Sequence, residues 1–591
     1  MCGICGEFKF KERPFDDLKL IGLMDSIASR GRDSKGTFKN SDVFLGHHRL
    51  SIIDTSEKSN QHMVIEKYVI VFNGIIYNYK DIRKKLIAKG HVFKSVGDTE
   101  VIVRSYIEYG DKCVDYFDGV FSFCIYNSIN KNIFLARDRI GIKPLYYSIS
   151  DDELVFSSSM TGILKNRNNF EINPIALHYQ FTLHSVVPAP HTIINGINKL
   201  EPGHTLNVNK LGQTYLNKYF DINETELINY KEDEIISNID VLLNNAVEKR
   251  LNIADVPVGI LLSGGLDSSL ITAISKKYKE RLNTFSIGFN TINDEIGNEF
   301  YYSDLVSEDF NTLHKKYNIS DYDLYNNLDT VISNMSEPMF SQDSSAFFLL
   351  AEKVSLSNKV VLSGQGADEI FGGYFWYEQI LNDSDTNETN ILSKYYFDRT
   401  FDNYCSAIDK KYINGNYVFN DIDNKLKQMD NDLPLLDKVF RLELSTFIID
   451  DPVKRVDNMT MSHALESRVP FLDIELIKFM LSVKGETKIN KSNKYYLKKL
   501  SENYLKKEVI HRDKFYFPVP PLKFIKDRFY DYCKKILSID AALQRGIYKK
   551  ENINKLLARP NDNFTNLNGN ELWHFTLLER WLQLNIDVWP Y

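Results

Sequence analysis

The sequence predicts two unlike domains in series, a sheet-rich α+β domain followed by a doubly wound α/β domain. Three observations carry that prediction. From residue 1 to about 205, apolar residues come in short strand-length segments, rich in β-branched and aromatic side chains and punctuated by turn residues. Past this region the apolar spacing becomes helical. Twice in the second part, a short apolar run leads directly into a glycine loop and a helical pattern. Units of that kind place ligands beyond the carboxyl ends of parallel strands.

In order along the chain, Lys67–Asn73, Val120–Tyr126, Asn132–Asp138 and Glu153–Ser157 read as strands, with Lys80–Lys89 as an intervening helix. Glu201–Gly203 and the polar stretch Gln213–Lys231 read as a connection. Ile235, Ile239, Leu242, Ala246 and Val247 fall on one helical face, which predicts an amphipathic helix over Asp233–Arg250. Val256–Leu262 is a continuous apolar run suited to a buried parallel strand, and Val360–Leu362 repeats the pattern. Residues from about 430 onward look largely helical. The expected division is 1–210, a linker at 211–230, a second domain at 231–535 and a helical extension at 536–591.

A chain of 591 residues is too long for a single core. Its 43% apolar and 26% charged residues exclude wholesale disorder. A net charge of −7 provides no global field for nucleic acid phosphates. No apolar run approaches the length of a membrane span, and the amino terminus lacks the basic start and apolar centre of a signal peptide. Six cysteines in so long a chain do not form a disulfide framework. The expectation is a cytoplasmic protein with neither nucleic acid nor membrane as partner.

Cys2 is the first residue that suggests chemistry. Removal of Met1 would leave a cysteine whose own α-amine can act as base toward its thiol. Taken alone, Cys2 and Cys5 read more readily as buried small hydrophobes, or as a weak C-x-x-C pair with no second pair to complete a metal site. The loop Ser263-Gly264-Gly265-Leu266-Asp267-Ser268-Ser269 follows the Val256–Leu262 run and opens a helix. Its glycines let the backbone approach a polyanion at a helix amino terminus. Asp267 fits beside phosphates only as a ligand of a bound cation such as Mg²⁺. The lack of G-K-[ST] separates this loop from a Walker A loop. A simple glycine turn with a capped helix is the alternative.

Further motifs occur in order. They are Cys2-Gly3-Ile4, Arg30-Gly31-x-Asp33, His48-Arg49-Leu50-Ser51-Ile52-Ile53-Asp54, Phe72-Asn73-Gly74, Gly97-Asp98-Thr99-Glu100 and Ala136-Arg137-Asp138. Together they resemble the glutaminase domain of the N-terminal-nucleophile (Ntn) amidotransferases, specifically of the asparagine-synthetase type. S-G-G-x-D-S and Ser363-Gly364-Gln365-Gly366-Ala367-Asp368-Glu369 resemble the loops of the PP-loop ATP pyrophosphatases in the same family. The resemblance implies ATP, Mg²⁺ and L-glutamine as ligands, a carboxylate acceptor, and is compatible with a homodimer. It implies Cys2 as nucleophile, with Asn73 and the backbone of Gly74 as oxyanion donors. Arg49, Leu50, Ile52 and Asp98 would bind glutamine, Arg49 at the α-carboxylate and Asp98 at the α-ammonium; a surface ion pair is the plainer reading of those two alone. Leu262, Ser263, Gly264, Gly265, Asp267, Ser268, Ile287, Ser363 and Gly364 would bind ATP, Asp267 and Asp368 would hold the metal, and Lys494 would stabilise charge during adenylate formation. A solvated lysine is the alternative for Lys494.

The sequence departs from the family's usual pattern at Ile75, where a Glu follows Asn-Gly, and at Gln365, where a Glu is thought to act as base. Arg32 also replaces a proline. His184-Ser185-Val186-Val187-Pro188, Met335-Ser336-Glu337-Pro338-Met339, the Gln365 loop and Phe517-Pro518-Val519-Pro520 resemble the N-acetylglutaminylglutamine amidotransferase branch. That likeness implies an acetylated dipeptide as acceptor, with aspartate as the alternative. A tRNA-modifying PP-loop protein finds no support in the charge balance, and Ile75 and Gln365 are the features that would fit a degenerate binding homologue.

Overall fold

The computed structural model describes the chain except residues 166, 168–169, 293–294, 514–518 and 588–591. Its first part is built on two six-stranded antiparallel sheets. In the first, Gly3–Lys9 lies between Glu153–Ser157 and Val43–Arg49, with Tyr146–Ile149, Asn198–Lys199 and Ser34–Lys39 completing the order outward. In the second, Gly119–Asn127 lies between Tyr68–Ile76 and Asn132–Arg137, flanked by Met63–Ile65, His204–Asn209 and Thr214–Lys218. Ile4, Phe8, Val43 and Phe156 from one sheet pack with Val69, Val71, Tyr126 and Leu135 from the other. This sandwich core explains why all seven residues of Gly3–Lys9 are buried. The start of the chain is thereby threaded into the centre of the fold.

The four expected strands and the helix near Lys80 are present, the helix as Tyr79–Ala88. The stretch 211–230, expected as linker, instead starts with a strand. Thr214–Lys218 pairs antiparallel with His204–Asn209, Val208 opposite Thr214. All five of its residues are exposed, so an edge strand with no buried face leaves no apolar alternation to read.

The second part carries five parallel strands in the order Leu313–Ile319, Asn283–Phe289, Val258–Leu261, Val360–Leu362, Glu466–Arg468. In chain order this is 3-2-1-4-5. The order reverses between Val258–Leu261 and Val360–Leu362, so the two glycine loops leave the sheet side by side at the switch point. The helix Glu232–Asn252 packs over this sheet through Ile235, Ile239, Leu243 and Val247.

Two features depart from expectation. The last strand, Glu466–Arg468, has charged residues at both ends and is buried throughout; nothing apolar announces it. Its charges satisfy each other, Arg468 Nε donating to Glu466 Oε1 at 2.6 Å. The expected extension at 536–591 is also part of the core. Helix Glu571–Leu582 buries Phe575 and Trp581 in the cluster that holds Phe285, and Trp581 Nε1 donates to the Met335 carbonyl at 2.8 Å.

The segments Glu443–Phe447 and Ile449–Val453 are π-helical, the second with Pro452 inside it. Such widened turns recur at functional sites, and these feed helix Lys454–Met461 at the seam between the two parts.

Because Phe8 is 0% exposed between the two sheets, Phe8→Ala is expected to destabilise the sandwich by about 3–5 kcal/mol. A urea unfolding transition at the wild-type midpoint would contradict that packing.

Candidate functional site

Cys2 emerges at the head of the central strand Gly3–Lys9 and is 8% exposed. Its N–H donates to Asn73 Oδ1 at 3.1 Å. Asn73 is fully buried on strand Tyr68–Ile76, and the Nδ2 of that same amide has no acceptor. A buried donor left unmade costs about 1–3 kcal/mol, which is tolerable where a ligand oxygen can take it up. Gly74 follows with φ +150°, where a Cβ would lie 2.2 Å from the Val120 carbonyl oxygen; only glycine lets the chain pass there. Cys2, Arg49, Leu50, Ile52, Gly74, Ile75 and Asp98 line one pocket.

Arg49 does not form the surface ion pair that it resembled in isolation. Its Nη1 donates to the Ser56 carbonyl at 2.9 Å and to Asn60 Oδ1 at 2.8 Å, and its Nη2 to the Ile53 and Asp54 carbonyls. The guanidinium thus folds the loop that walls the pocket while keeping its positive charge there. Asp98 begins helix Asp98–Tyr109, and its Oδ2 accepts from the Ile76 N–H at 3.1 Å. Burial pushes its carboxyl up to about 6, against the backbone donors that favour the ionised form. Burial likewise raises the Cys2 thiol, opposed by the Met1 ammonium, the Leu50 N–H and Arg49.

One further wall of this pocket comes from the far end of the chain. Glu466, 1% exposed, lines it, and its Oε2 lies 2.5 Å from the Met1 ammonium. Burial would raise its pKa, but the Met1 ammonium, Arg468 and Lys143 outweigh it and hold the carboxyl at about 2. In the sequence the motif that begins at Glu466 matches the family and reads as wall and scaffold rather than chemistry; no local pattern shows which pocket it walls.

The second pocket opens at the sheet's switch point. Leu262, Ser263, Gly265, Asp267, Ser268, Ile287, Ser363, Gly364, Gln365 and Asp368 line it, joined by Phe285, Glu299 and Phe347. Gly264 is not on its wall. With φ +81° it turns the loop, and a Cβ there would meet Ser303 N at 2.5 Å. A Cβ on Gly364 would approach Asp267 Cβ to 3.1 Å, so the two loops nearly touch. Lys494, itself at φ +56°, donates to both Asp267 oxygens at 2.7 and 2.8 Å and lies 2.9 Å from Asp368 Oδ1. Burial lowers its pKa, but the two carboxylates more than reverse this. A cation therefore bridges the two carboxylates already, and the oxygen donor set suits Mg²⁺.

Arg512 is a charge that the sequence reading missed. Its Nη2 lies 2.6 Å from Glu299, and its buried Nη1 has no acceptor. A Cβ on Gly265 would come within 3.4 Å of Nη2, so a guanidinium with a spare donor stands over the glycine loop. The basic run His511-Arg512 was the only signal for it. Of the nearby Phe517-Pro518-Val519-Pro520, Phe517 and Pro518 lie outside the described residues.

Where the two parts meet lies a seam of buried charge. Arg30 Nε donates to the Cys2 carbonyl at 3.1 Å, and Arg30 and Lys143 share Asp457 at 2.9 and 3.1 Å. Lys199 pairs with Asp450 at 2.5 Å and Glu337 at 3.3 Å, and the Tyr146 hydroxyl donates to Glu337 at 2.9 Å. Arg30, Asp457, Lys199, Asp450 and Tyr146 line a small cavity with about 20 Å³ open to the centre of a water-sized molecule. A wider cavity of about 500 Å³, lined by Arg139, Pro188, Lys425 and Thr446, shares Ile449 and Asp450 with it. His184 lies in neither pocket. It pairs with Asp398 at 3.0 Å, and with His574 the two form a metal-sized cluster. Arg399 Nη2 stands 3.5 Å from His574 Nδ1, so a cation is already there.

Comparison with known proteins fits this two-pocket arrangement. The family described as Glutamine amidotransferase domain matches residues 1–220, and the family Asparagine synthase matches residues 238–583. Asparagine synthetase (glutamine-hydrolyzing) 1 of Bacillus subtilis is 29% identical over 99% of this chain and 97% of its own length. Asparagine synthetase (glutamine-hydrolyzing) 3 of the same organism is 30% identical over 88% of this chain and 87% of its own. A putative asparagine synthetase (glutamine-hydrolyzing) 2 of Methanocaldococcus jannaschii is 35% identical over 63% of this chain and 76% of its own. A match across residues 238–583 and relatives aligned over most of both chains leave one assignment: the chain belongs to the glutamine-hydrolysing asparagine synthetase family of ligases, with a glutamine amidotransferase domain ahead of its asparagine synthase domain.

Proposed function

We propose that this protein is an ATP-dependent amidotransferase that frees ammonia from glutamine at Cys2 and passes it to an acyl-adenylate formed at the second pocket, yielding an amide, AMP and pyrophosphate. The observation that carries the reading is the pairing in one chain of a pocket headed by Cys2 with a second pocket where both glycine loops meet beside Asp267, Asp368 and Lys494. In this reading the first part is an Ntn glutaminase and the second a PP-loop synthetase. Loss of Met1 frees the Cys2 amine to take the thiol's proton. The thiolate then bonds to the glutamine side-chain carbonyl carbon. The Cys2 ammonium returns its proton to the amide nitrogen as the C–N bond breaks, and ammonia leaves as the thioester forms. Water then hydrolyses the thioester to glutamate and free thiol. Asn73 Nδ2, which lacks an acceptor, and the Gly74 backbone donate to the developing oxyanion. Arg49 and Asp98 hold the two ends of the amino acid, and Leu50 and Ile52 its stem.

At the second pocket, Ser263, Gly265, Ser268, Ser363 and Gly364 line the cavity for ATP, with Leu262 and Ile287 beside the adenosine. Bound Mg²⁺ would be held by Asp267 and Asp368 and would neutralise phosphate charge. Lys494 and the spare donor of Arg512 add fixed positive charge around the same anion.

The acceptor follows from two lines of support. The motifs at His184, Ser336 and Gln365 favour the carboxyl terminus of N-acetylglutaminylglutamine, and Gln365, a neutral amide on the pocket wall, cannot serve as a base. The names of the relatives favour aspartate. An acceptor panel tests both, with purified protein, ATP, Mg²⁺ and glutamine, scored by AMP release. No AMP with either acceptor, from glutamine or from added ammonia, would overturn the proposal.

Three outcomes are expected. Cys2→Ala should abolish glutamine-driven AMP release while ammonia-driven release persists; equal loss of both would refute separate sites. Because Asp98 binds ammonium only when ionised and its carboxyl sits at about 6, kcat/KM for glutamine should fall roughly tenfold per pH unit below 6. Asp98→Asn should remove that acid limb, and an unchanged limb would rule Asp98 out as its source. Finally, Lys494→Met leaves Asp267 and Asp368 without their shared cation, so Mg²⁺ at a hundred times its Kd should stabilise this variant by about 2.7 kcal/mol. A thermal midpoint insensitive to Mg²⁺ would count against the metal role.

A further inference from the structure

The wall of the second pocket holds a carboxylate that a polyphosphate would meet with like charge. Glu299 lines this pocket together with Gly265 and Ser268. It stands at the N-cap of helix Phe300–Phe310, yet its side chain bonds no helix N–H. Asp267 and Asp368 share Lys494. Among the described residues, the cation beside Glu299 is Arg512, whose Nη2 lies 2.6 Å from Oε1.

That contact is close but poorly aligned. Neither Glu299 Oε1 nor the buried Nη1 of Arg512 completes a hydrogen bond. The pair is held by charge at short range without a directed bond, which leaves the guanidinium exchangeable. The Tyr302 ring, 4.5 Å from the guanidinium carbon, keeps Arg512 over the loop. Nη2 would lie 3.4 Å from a Cβ on Gly265, so the space that this glycine leaves empty lies directly beneath the guanidinium.

We propose that Arg512 binds the β- and γ-phosphates of the nucleotide and the pyrophosphate cut from it, and that Glu299 competes for the same guanidinium and so sets how tightly pyrophosphate is held. A phosphate offers the planar fork two aligned oxygens and more than one negative charge, where Glu299 offers one misaligned oxygen. As the acceptor carboxylate bonds to the α-phosphorus, the bond from that phosphorus to the bridging oxygen breaks. The electron pair leaves with pyrophosphate, and Arg512 meets the charge that it gains. Burial already raises the Glu299 pKa, and Arg512 is what opposes it. With Arg512 on the phosphate, the carboxylate is left uncompensated, which draws the guanidinium back and frees the product. The inference deepens the proposed function and rests on its placing of ATP in this pocket.

The test is equilibrium dialysis of labelled pyrophosphate with Mg²⁺ against the purified full-length protein, alongside AMP release with whichever acceptor supports turnover. Arg512→Met should weaken pyrophosphate binding about tenfold or more. Arg512→Lys, a point charge without the fork, should fall between this variant and wild type. Glu299→Gln, which keeps the shape and removes the charge, should tighten binding several-fold. The double variant Glu299→Gln/Arg512→Met should bind no more tightly than Arg512→Met. A damaged pocket weakens binding, so the sign of the Glu299→Gln effect separates competition from a role in folding. Unchanged or weaker binding by Glu299→Gln would overturn the inference, as would an Arg512→Met variant that binds like wild type. Tightening that persists in the double variant would also overturn it, by marking plain repulsion from the carboxylate. A wild type that shows the expected binding pattern but releases no AMP with either acceptor supports the pair and overturns the amidotransferase reading instead.

Discussion

Charge buried between the two halves is the constraint on which the rest of this structure depends. Asp457 is taken by Arg30 and Lys143 from the first part, Lys199 by Asp450 and Glu337 of the second, and Glu466 by the chain's own start. Each of these groups is 9% exposed or less. Breaking one partner out of such a pair costs about 3–5 kcal/mol, because the other is left uncompensated in a dry place. The halves are therefore bound to one another in a fixed orientation, more by the penalty for separating them than by any net attraction.

That fixed orientation makes sense of the two sheets. The sandwich puts Gly3–Lys9 at its centre, which brings Cys2 to the boundary. The parallel sheet ends in Glu466–Arg468, which reaches the same boundary from the other side. The Ser363 N–H donates to the Arg468 carbonyl at 2.9 Å, Arg468 bonds Glu466, and Glu466 meets Met1. A continuous run of short polar contacts thus joins the glycine loop of one pocket to the head of the other. The Cys2 pocket takes one wall, Glu466, from the other half.

Much of this was legible in the sequence where chemistry and local spacing coincide. Both glycine loops lie at the carboxyl ends of adjacent parallel strands, and the residues expected around them gather in one cavity except Gly264, whose part is to turn the chain. Cys2, Arg49, Leu50, Ile52, Gly74 and Asp98 line the other cavity. What could not be read depends on contacts between distant segments. Glu466 reads as part of a scaffold motif, because only the closure of two domains reveals what it faces. Thr214–Lys218 escaped notice because an exposed edge has no alternating face, and Arg512 because its partner Glu299 is more than two hundred residues away.

The burial of the first residue imposes an order of events on biosynthesis. Met1 is 2% exposed and is capped by a carboxylate encoded 465 positions later. An aminopeptidase cannot reach it once the strand bearing that carboxylate has docked. At about 5–20 residues per second, the ribosome needs roughly 20–90 seconds to reach that strand, and the loss of Met1 that the proposed Cys2 chemistry requires would have to be finished within the interval. A polypeptide that closes before it is clipped would carry its own plug.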